Sequence, residues 1–322
     1  MKYFVLFAGF MLFAVCAYAQ DMPQIRTYSG ETHDGQSAFR QAKREKQRQP
    51  NVEIWLPPEF QSTERKWPLI VFSHGFGGCA KQSAFLTSYL ADNGYIVIAP
   101  DHEDAQCAGK GSALSRLSQM RGGRIQSPEK PFRNPELWTD KTEANRRDDV
   151  LFALSSMLDD RQYKNYVDLD RVGLIGHSLG GYTALGIAGA WPGWKDERFK
   201  AVVALSPYLA PYLRGHGIEK ISVPVMYQGG TKDVLLTPDL KRTGGAYTRT
   251  AAPKYFIELD GADHFSWTEL DRNYQDIVRA SVLAFVDKYV KGSGGGIEIS
   301  KDRRVKTFWK DEGADIDKAQ NP

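Results

Sequence analysis

Downstream of position 50 the chain alternates short apolar runs with stretches of helical period, the rhythm of strands that each return through a helix. Residues 69–72 (Leu-Ile-Val-Phe), 95–99, 172–175 and 201–205 are continuously apolar, as expected of strands covered on both faces. Two more runs, 224–227 and 255–259, complete the series. Residues 51–56 alternate polar and apolar and are stopped by Pro57-Pro58, which predicts a half-exposed edge strand. Helices are expected near 83–92, 143–158, 180–190 and 274–290. The spacing is that of right-handed crossover units, so the predicted fold is α/β: a mostly parallel central sheet flanked by helices on both faces.

Several segments fall outside this rhythm. Lys2 precedes an apolar run and then Ala17-Tyr18-Ala19, small residues at the positions a signal peptidase inspects. Residues 1–19 are therefore read as a cleaved signal peptide, since the apolar stretch is shorter than the ~20 residues that span a bilayer. The mature chain is expected to be secreted or periplasmic. Residues 20–50 form an N-terminal extension, and 51–291 the α/β domain, in which 109–142, rich in Arg, Lys, Gly, Ser and Pro, is an inserted segment. A Gly-rich linker opens the charged tail of 292–322.

Composition narrows the function classes. Of 322 residues 42% are apolar and 25% charged, ordinary for a domain with a sizeable core. A net charge of +3 gives no basic excess of the kind nucleic-acid binders show. Export would remove Cys16 with the signal and leave Cys79 and Cys107, for which an oxidising compartment favours a disulfide.

The chemistry centres on Gly176-His177-Ser178-Leu179-Gly180-Gly181, between a predicted buried strand and a predicted helix. There a serine sits on a strained strand-to-helix turn, its hydroxyl exposed. Such a hydroxyl needs a base. In this arrangement the order is serine, acid, histidine, which sets aside His33, His74, His102, His177 and His216 and leaves His264, in the loop after strand 255–259. Asp233, in the loop after strand 224–227, is the expected acid, with Asp260 and Asp263 as competitors. The developing oxyanion needs two backbone N–H groups. Leu179 is expected to give one, and Phe76, in Ser73-His74-Gly75-Phe76-Gly77-Gly78, the other.

Together with the runs at 68–78 and 86–97, Pro100-Asp101-His102, 145–150 and 167–173, these motifs resemble the α/β-hydrolases grouped as dienelactone-hydrolase-like and platelet-activating-factor-acetylhydrolase-like esterases. The likeness spans roughly 50 to 290, and the Gly261–Phe265 loop is similar to that of secreted cutinases and polyester hydrolases. Two departures stand out. Dienelactone hydrolases proper carry a cysteine where this chain has Ser178. The plasma acetylhydrolases place their acid just after the strand that here ends at Leu205, where this chain has Ser206. The resemblance implies an exported serine carboxylic-ester hydrolase working through an acyl-enzyme, with Ser178, Asp233 and His264 as triad. In that fold the ends of the strands before Cys79 and Cys107 are neighbours, which favours their pairing. Phe76, Tyr208 and Trp267 are expected to touch substrate, a small-molecule, lipid or polyester ester. No cofactor or metal motif is present, and a monomer without nucleic-acid partner or membrane span is expected. The rival readings are a secreted serine peptidase or amidase of the same fold, and a non-catalytic binding protein on a hydrolase scaffold.

Overall fold

A computed structural model describes residues 25–28, 48–60, 62–106, 132, 134–215 and 217–313. The expected signal peptide, most of the inserted segment, Cys107 and the end of the tail lie outside the described residues. The strands are β1 (Ile25–Tyr28), β2 (Val52–Trp55), β3 (Trp67–Ser73), β4 (Ile96–Pro100), β5 (Val167–His177), β6 (Phe199–Leu205), β7 (Val225–Gly230), β8 (Lys254–Leu259) and β9 (Val305–Asp311). Four longer helices accompany them: α1 (Ala84–Asp92), α2 (Ala144–Asp159), α3 (Leu179–Leu185) and α4 (Gln275–Val286).

The nine strands among the described residues join one sheet in the order β1-β2-β4-β3-β5-β6-β7-β8-β9. From β4 to β8 every pairing is parallel, and the two margins are antiparallel. Successive side chains of a strand point to opposite faces, and the apolar runs divide accordingly. Leu69 and Val71 of β3 and Val202 and Ala204 of β6 pack with Val150 and Leu154 of α2. Ile70 and Phe72, with Val203 and Leu205, pack on the other face with Leu86 and Leu90 of α1 and Val278, Val282 and Phe285 of α4. The continuous apolar runs are thus explained by two buried layers, one on each face.

Both sheet margins extend beyond the expectation. The segment 51–56 was expected at an edge, but β2 is wholly buried between β1 and β4. Its polar Glu53 is buried as well and pairs with Lys81. The predicted tail does not simply trail from the domain. Ile297 is fully buried, and β9 pairs antiparallel with β8, covering what would otherwise be an open strand edge. Trp309 of β9 packs against Phe256 and Tyr247. Among the described residues no helix is long and apolar enough to cross a membrane.

Candidate active site

β5 ends at His177 and α3 begins at Leu179, so Ser178 makes the whole turn between them. Its backbone sits at φ 55° and ψ −117°, a conformation a non-glycine residue adopts at a cost. Three hydrogen bonds hold it there: Ser178 N–H donates to Leu205 O at 3.0 Å, and the N–H groups of Tyr182 and Tyr208 donate to Ser178 O at 3.1 Å each. The flanking glycines are required by contact. A Cβ on Gly176 would lie 2.1 Å from Gly180 O, and one on Gly180 would lie 1.9 Å from Ser73 O. The elbow is therefore pressed directly onto the end of β3.

The loop after β8 brings His264 over this turn. His264 Nε2 lies 2.9 Å from Ser178 Oγ, and Nδ1 lies 2.8 Å from Asp233 Oδ2. Asp233 stands three residues past β7 and is buried, with Leu236 N–H donating to its Oδ1 at 3.3 Å. Burial alone would raise its pKa, but the hydrogen bond and charge of His264, with the Ser206 hydroxyl, hold it below the usual carboxylate value. Ser206, just past β6, donates to Asp233 Oδ2, and its Oγ is 3.1 Å from His264 Nδ1. Asp260 and Asp263 face elsewhere: Thr231 Oγ1 donates to Asp260, and Asp263 accepts from Phe265 N–H at 2.8 Å. A hydroxyl, an imidazole and a carboxylate in one line can move a proton from oxygen to nitrogen while the carboxylate steadies the charged ring.

The glycine-rich loop after β3 borders the same space, since a Cβ on Gly75 would be 3.3 Å from Ser178 Cβ. Its amides are largely spoken for. Gly75 N–H donates to Gln82 Oε1 at 3.1 Å, Gly77 N–H to Asp104 Oδ2 at 2.7 Å, and Gly78 N–H to Gly75 O at 3.0 Å. The amide of Phe76 has no such partner among the described residues. Leu179 opens α3, where the first amides lack an intrahelical carbonyl. These two N–H groups remain available to an anionic oxygen.

Beneath the loop lies a buried polar cluster that sequence patterning does not reveal. Arg146 of α2 is fully buried and donates to Asp104 Oδ1 and to the carbonyl of His74. His102 N–H donates to His74 Nε2 at 3.0 Å, and the His74 Nδ1–H donates to Gly75 O at 2.7 Å. The second ring bridges Ser73 Oγ (2.8 Å) and Asp149 Oδ2 (3.1 Å). Burial, then the charge of Arg146, lowers the pKa of His74 to about 3 and that of His102 well below its ordinary value. His177, beside the serine, is lowered to about 3 by burial and then by His264.

These three histidines give the fold a directional pH dependence. A group whose pKa is depressed by folding contributes stability above its unfolded value, here 6.5, and loses it as pH falls through that value toward the folded one. Asp149 acts in the opposite sense. Burial raises its pKa to about 7 against Arg48, so the proton it carries stabilises the fold at low pH and that gain is lost as pH rises through about 7. With three depressed histidines against two raised carboxyls, Asp149 and Glu269, unfolding free energy is expected to fall from roughly pH 7.5 to pH 5. Urea titrations at the two pH values measure this; equal stabilities would contradict it.

The expected pocket residues divide. Tyr208 lies against the elbow, as its bond to Ser178 O requires, and its hydroxyl donates to Phe132 O at 2.6 Å. Phe132 packs edge-on against both Phe76 and Tyr208, with Trp138 behind them, forming an aromatic wall beside the glycine-rich loop. Trp267 requires a correction. It has no exposure at all, and its indole N–H donates to Gln228 Oε1 at 2.9 Å, so it is a core residue below the His264 loop rather than part of a pocket wall. Cys79 is buried and disulfide-bonded.

Comparison with known proteins places the chain among hydrolases. The model of the dienelactone hydrolase family matches residues 59–282. A platelet-activating factor acetylhydrolase of Bos taurus is 28% identical over 172 residues, covering 46% of this chain and 37% of that protein. Cutinase est2 of Thermobifida alba is 25% identical over 201 residues, 61% of this chain and 52% of the cutinase. Dipeptidyl-peptidase 5 of Porphyromonas gingivalis is 29% identical over 161 residues, 48% of this chain and 19% of the peptidase. The chain thus spans well under two thirds of each of these relatives. With a family match that begins ahead of the glycine-rich loop's strand and runs through the serine elbow into α4, and an α/β sheet carrying both, the chain belongs to the dienelactone hydrolase family.

Proposed function

We propose that this protein is an exported serine hydrolase of carboxylic esters. The observation that carries the reading is the line Ser178 Oγ, His264 Nε2, His264 Nδ1, Asp233 Oδ2, with contacts of 2.9 and 2.8 Å, set on a strained elbow. Ser178 Oγ attacks the ester carbonyl and its proton passes to His264 Nε2. The carbonyl π electrons move onto oxygen, where the N–H groups of Phe76 and Leu179 receive the charge. As the tetrahedral intermediate collapses the alcohol leaves with the proton from His264, giving an acyl-Ser178. Water, deprotonated by His264, then attacks the acyl carbon, and the bond to Ser178 Oγ breaks as His264 returns the proton to that oxygen and the acid is freed. Asp233 orients the ring throughout.

The similarity to an acetylhydrolase and to a cutinase supports a carboxylic ester as substrate, and the aromatic wall of Phe76, Phe132 and Tyr208 supports an apolar group beside the scissile bond. We assign the first nineteen residues to a signal peptide and the bond of Cys79 to Cys107, which would brace the loop behind Phe76. The similarity to a dipeptidyl peptidase favours amide cleavage as the second reading.

A fluorophosphonate should label the purified protein once per chain, at Ser178. Turnover of a p-nitrophenyl acyl ester should exceed that of the matched p-nitroanilide by at least about 100-fold, because an amine leaves far less readily than a phenolate under the same oxyanion stabilisation. Failure to label would revive the binding-protein reading, and equal turnover would favour an amidase.

A further inference from the structure

Two side chains outside the proposed triad connect its parts. Gln82, in the turn between the glycine-rich loop and α1, accepts the Gly75 N–H at Oε1 (3.1 Å). Its Nε2 lies 3.0 Å from His177 Nδ1, and His177 Nε2 lies 2.9 Å from the backbone carbonyl of His264. The carboxamide fills the space the glycines leave: a Cβ on Gly78 would come within 2.3 Å of Gln82 Oε1.

The polarity of this series is fixed from both ends. Gly75 N–H can only donate and His264 C=O can only accept. Gln82 must therefore present its oxygen to Gly75 and its NH2 to His177. His177 Nδ1 must then accept, and Nε2 must carry the hydrogen that reaches His264 O. No second proton fits, since a hydrogen on Nδ1 would face the NH2 group. The His177 ring also lies against that of His264, with centroids 4.9 Å apart and an interplanar angle of 36°. A neutral His177 spares the proposed base an adjacent cation at the moment it becomes charged.

We infer that Gln82 and His177 are positioning residues that tie the loop carrying the proposed oxyanion donor to the backbone of the proposed base. The two groups that must meet one tetrahedral intermediate are thereby held at a fixed separation. The inference rests on the ester-hydrolase reading and adds a requirement to it: losing the link lowers kcat and leaves KM nearly unchanged, because ground-state contacts are not involved.

The test uses Gln82→Ala and the isosteric Gln82→Glu in the full chain with a p-nitrophenyl ester. Gln82→Ala should lose about 10- to 100-fold in kcat at every pH, the scale of a small misplacement of reacting groups. In Gln82→Glu one proton shared between the carboxyl and His177 Nδ1 preserves the series, while its loss sets a carboxylate oxygen against a bare nitrogen or His177 Nε2 against a carbonyl. The ratio of Gln82→Glu to wild-type kcat should accordingly fall as pH rises between about 5 and 8. His264, Asp233 and His74 are the charged or titratable groups that act on this ring, and wild type carries them equally. A purely structural role for Gln82 would leave that ratio flat.

Wild-type kcat in Gln82→Ala, a change confined to KM, or a pH-independent ratio would overturn the inference. If Gln82→Ala does not fold, the isosteric variant decides alone. Full activity in Ser178→Ala would instead overturn the ester-hydrolase reading; an inactive Ser178→Ala beside unaffected Gln82 variants would remove only this inference.

Discussion

Alanine at Ser178, or at His264, is expected to lower kcat for a p-nitrophenyl ester by about a million-fold. The size follows from how the two groups depend on one another. His264 Nε2, 2.9 Å from Ser178 Oγ, is the base of the proposed mechanism, in which no acyl-enzyme forms without either member. The double variant should be no worse than either single one, because each substitution already removes the shared step. Asp233→Asn leaves the nucleophile and base in place and should cost about 10,000-fold, by favouring the wrong tautomer of His264. Steady-state rates above a buffer blank measure all four variants. A loss of less than about tenfold in Ser178→Ala would reject the proposed nucleophile, and additive losses in the double variant would reject the shared step.

Arg146→Met is expected to destabilise the fold by about 3–5 kcal/mol, the cost of breaking a buried ion pair from one side. The methionine retains the apolar reach of the side chain, so packing is largely conserved. What it removes are the donors to Asp104 and to the His74 carbonyl. Burial already works to raise the pKa of Asp104, and Arg146 is foremost among the influences that outweigh it. Without that charge the carboxylate is stranded in the interior or must take up a proton. A shift in the urea midpoint at unchanged slope measures the loss. Replacing both members, as Arg146→Met with Asp104→Leu, should recover part of it, since an apolar pair leaves no buried charge behind. Unaltered stability in the single variant would show that the pair is not needed.

How much of this was legible beforehand depends on whether the signal was local. The runs of β3, β6 and β7 are apolar because both faces are buried, and that pattern survives in any context. The elbow announces itself through its glycines, and the order of elements then points to Asp233 and His264, which the fold brings into hydrogen-bonding contact with Ser178 and each other. β9 carries Lys306, Lys310 and Asp311 among its seven residues and reads as a charged tail; only the presence of β8 beside it makes it a strand. β2 looked half-exposed because Glu53 interrupts it, and the lysine that compensates that charge lies on a different loop. Trp267 was placed by proximity to His264 in sequence, yet one turn of chain is enough to send a large indole into the core. Gln82 carries no motif, and the runs that hold Arg146 and Ser206 do not say what either side chain touches. Their contacts join residues 95, 72 and 58 positions away, distances over which sequence patterning has no reach.

Ser206 bears on how such sites diversify. It stands at the end of β6, the place where the resembling acetylhydrolases keep their acid, and its hydroxyl already meets Asp233 and the same ring nitrogen of His264 that Asp233 serves. Two neighbouring strands thus converge on one nitrogen. A carboxylate at either strand end would face that nitrogen with the proposed base and nucleophile left where they are. The position of that nitrogen, rather than the strand that faces it, is then what the proposed chemistry constrains.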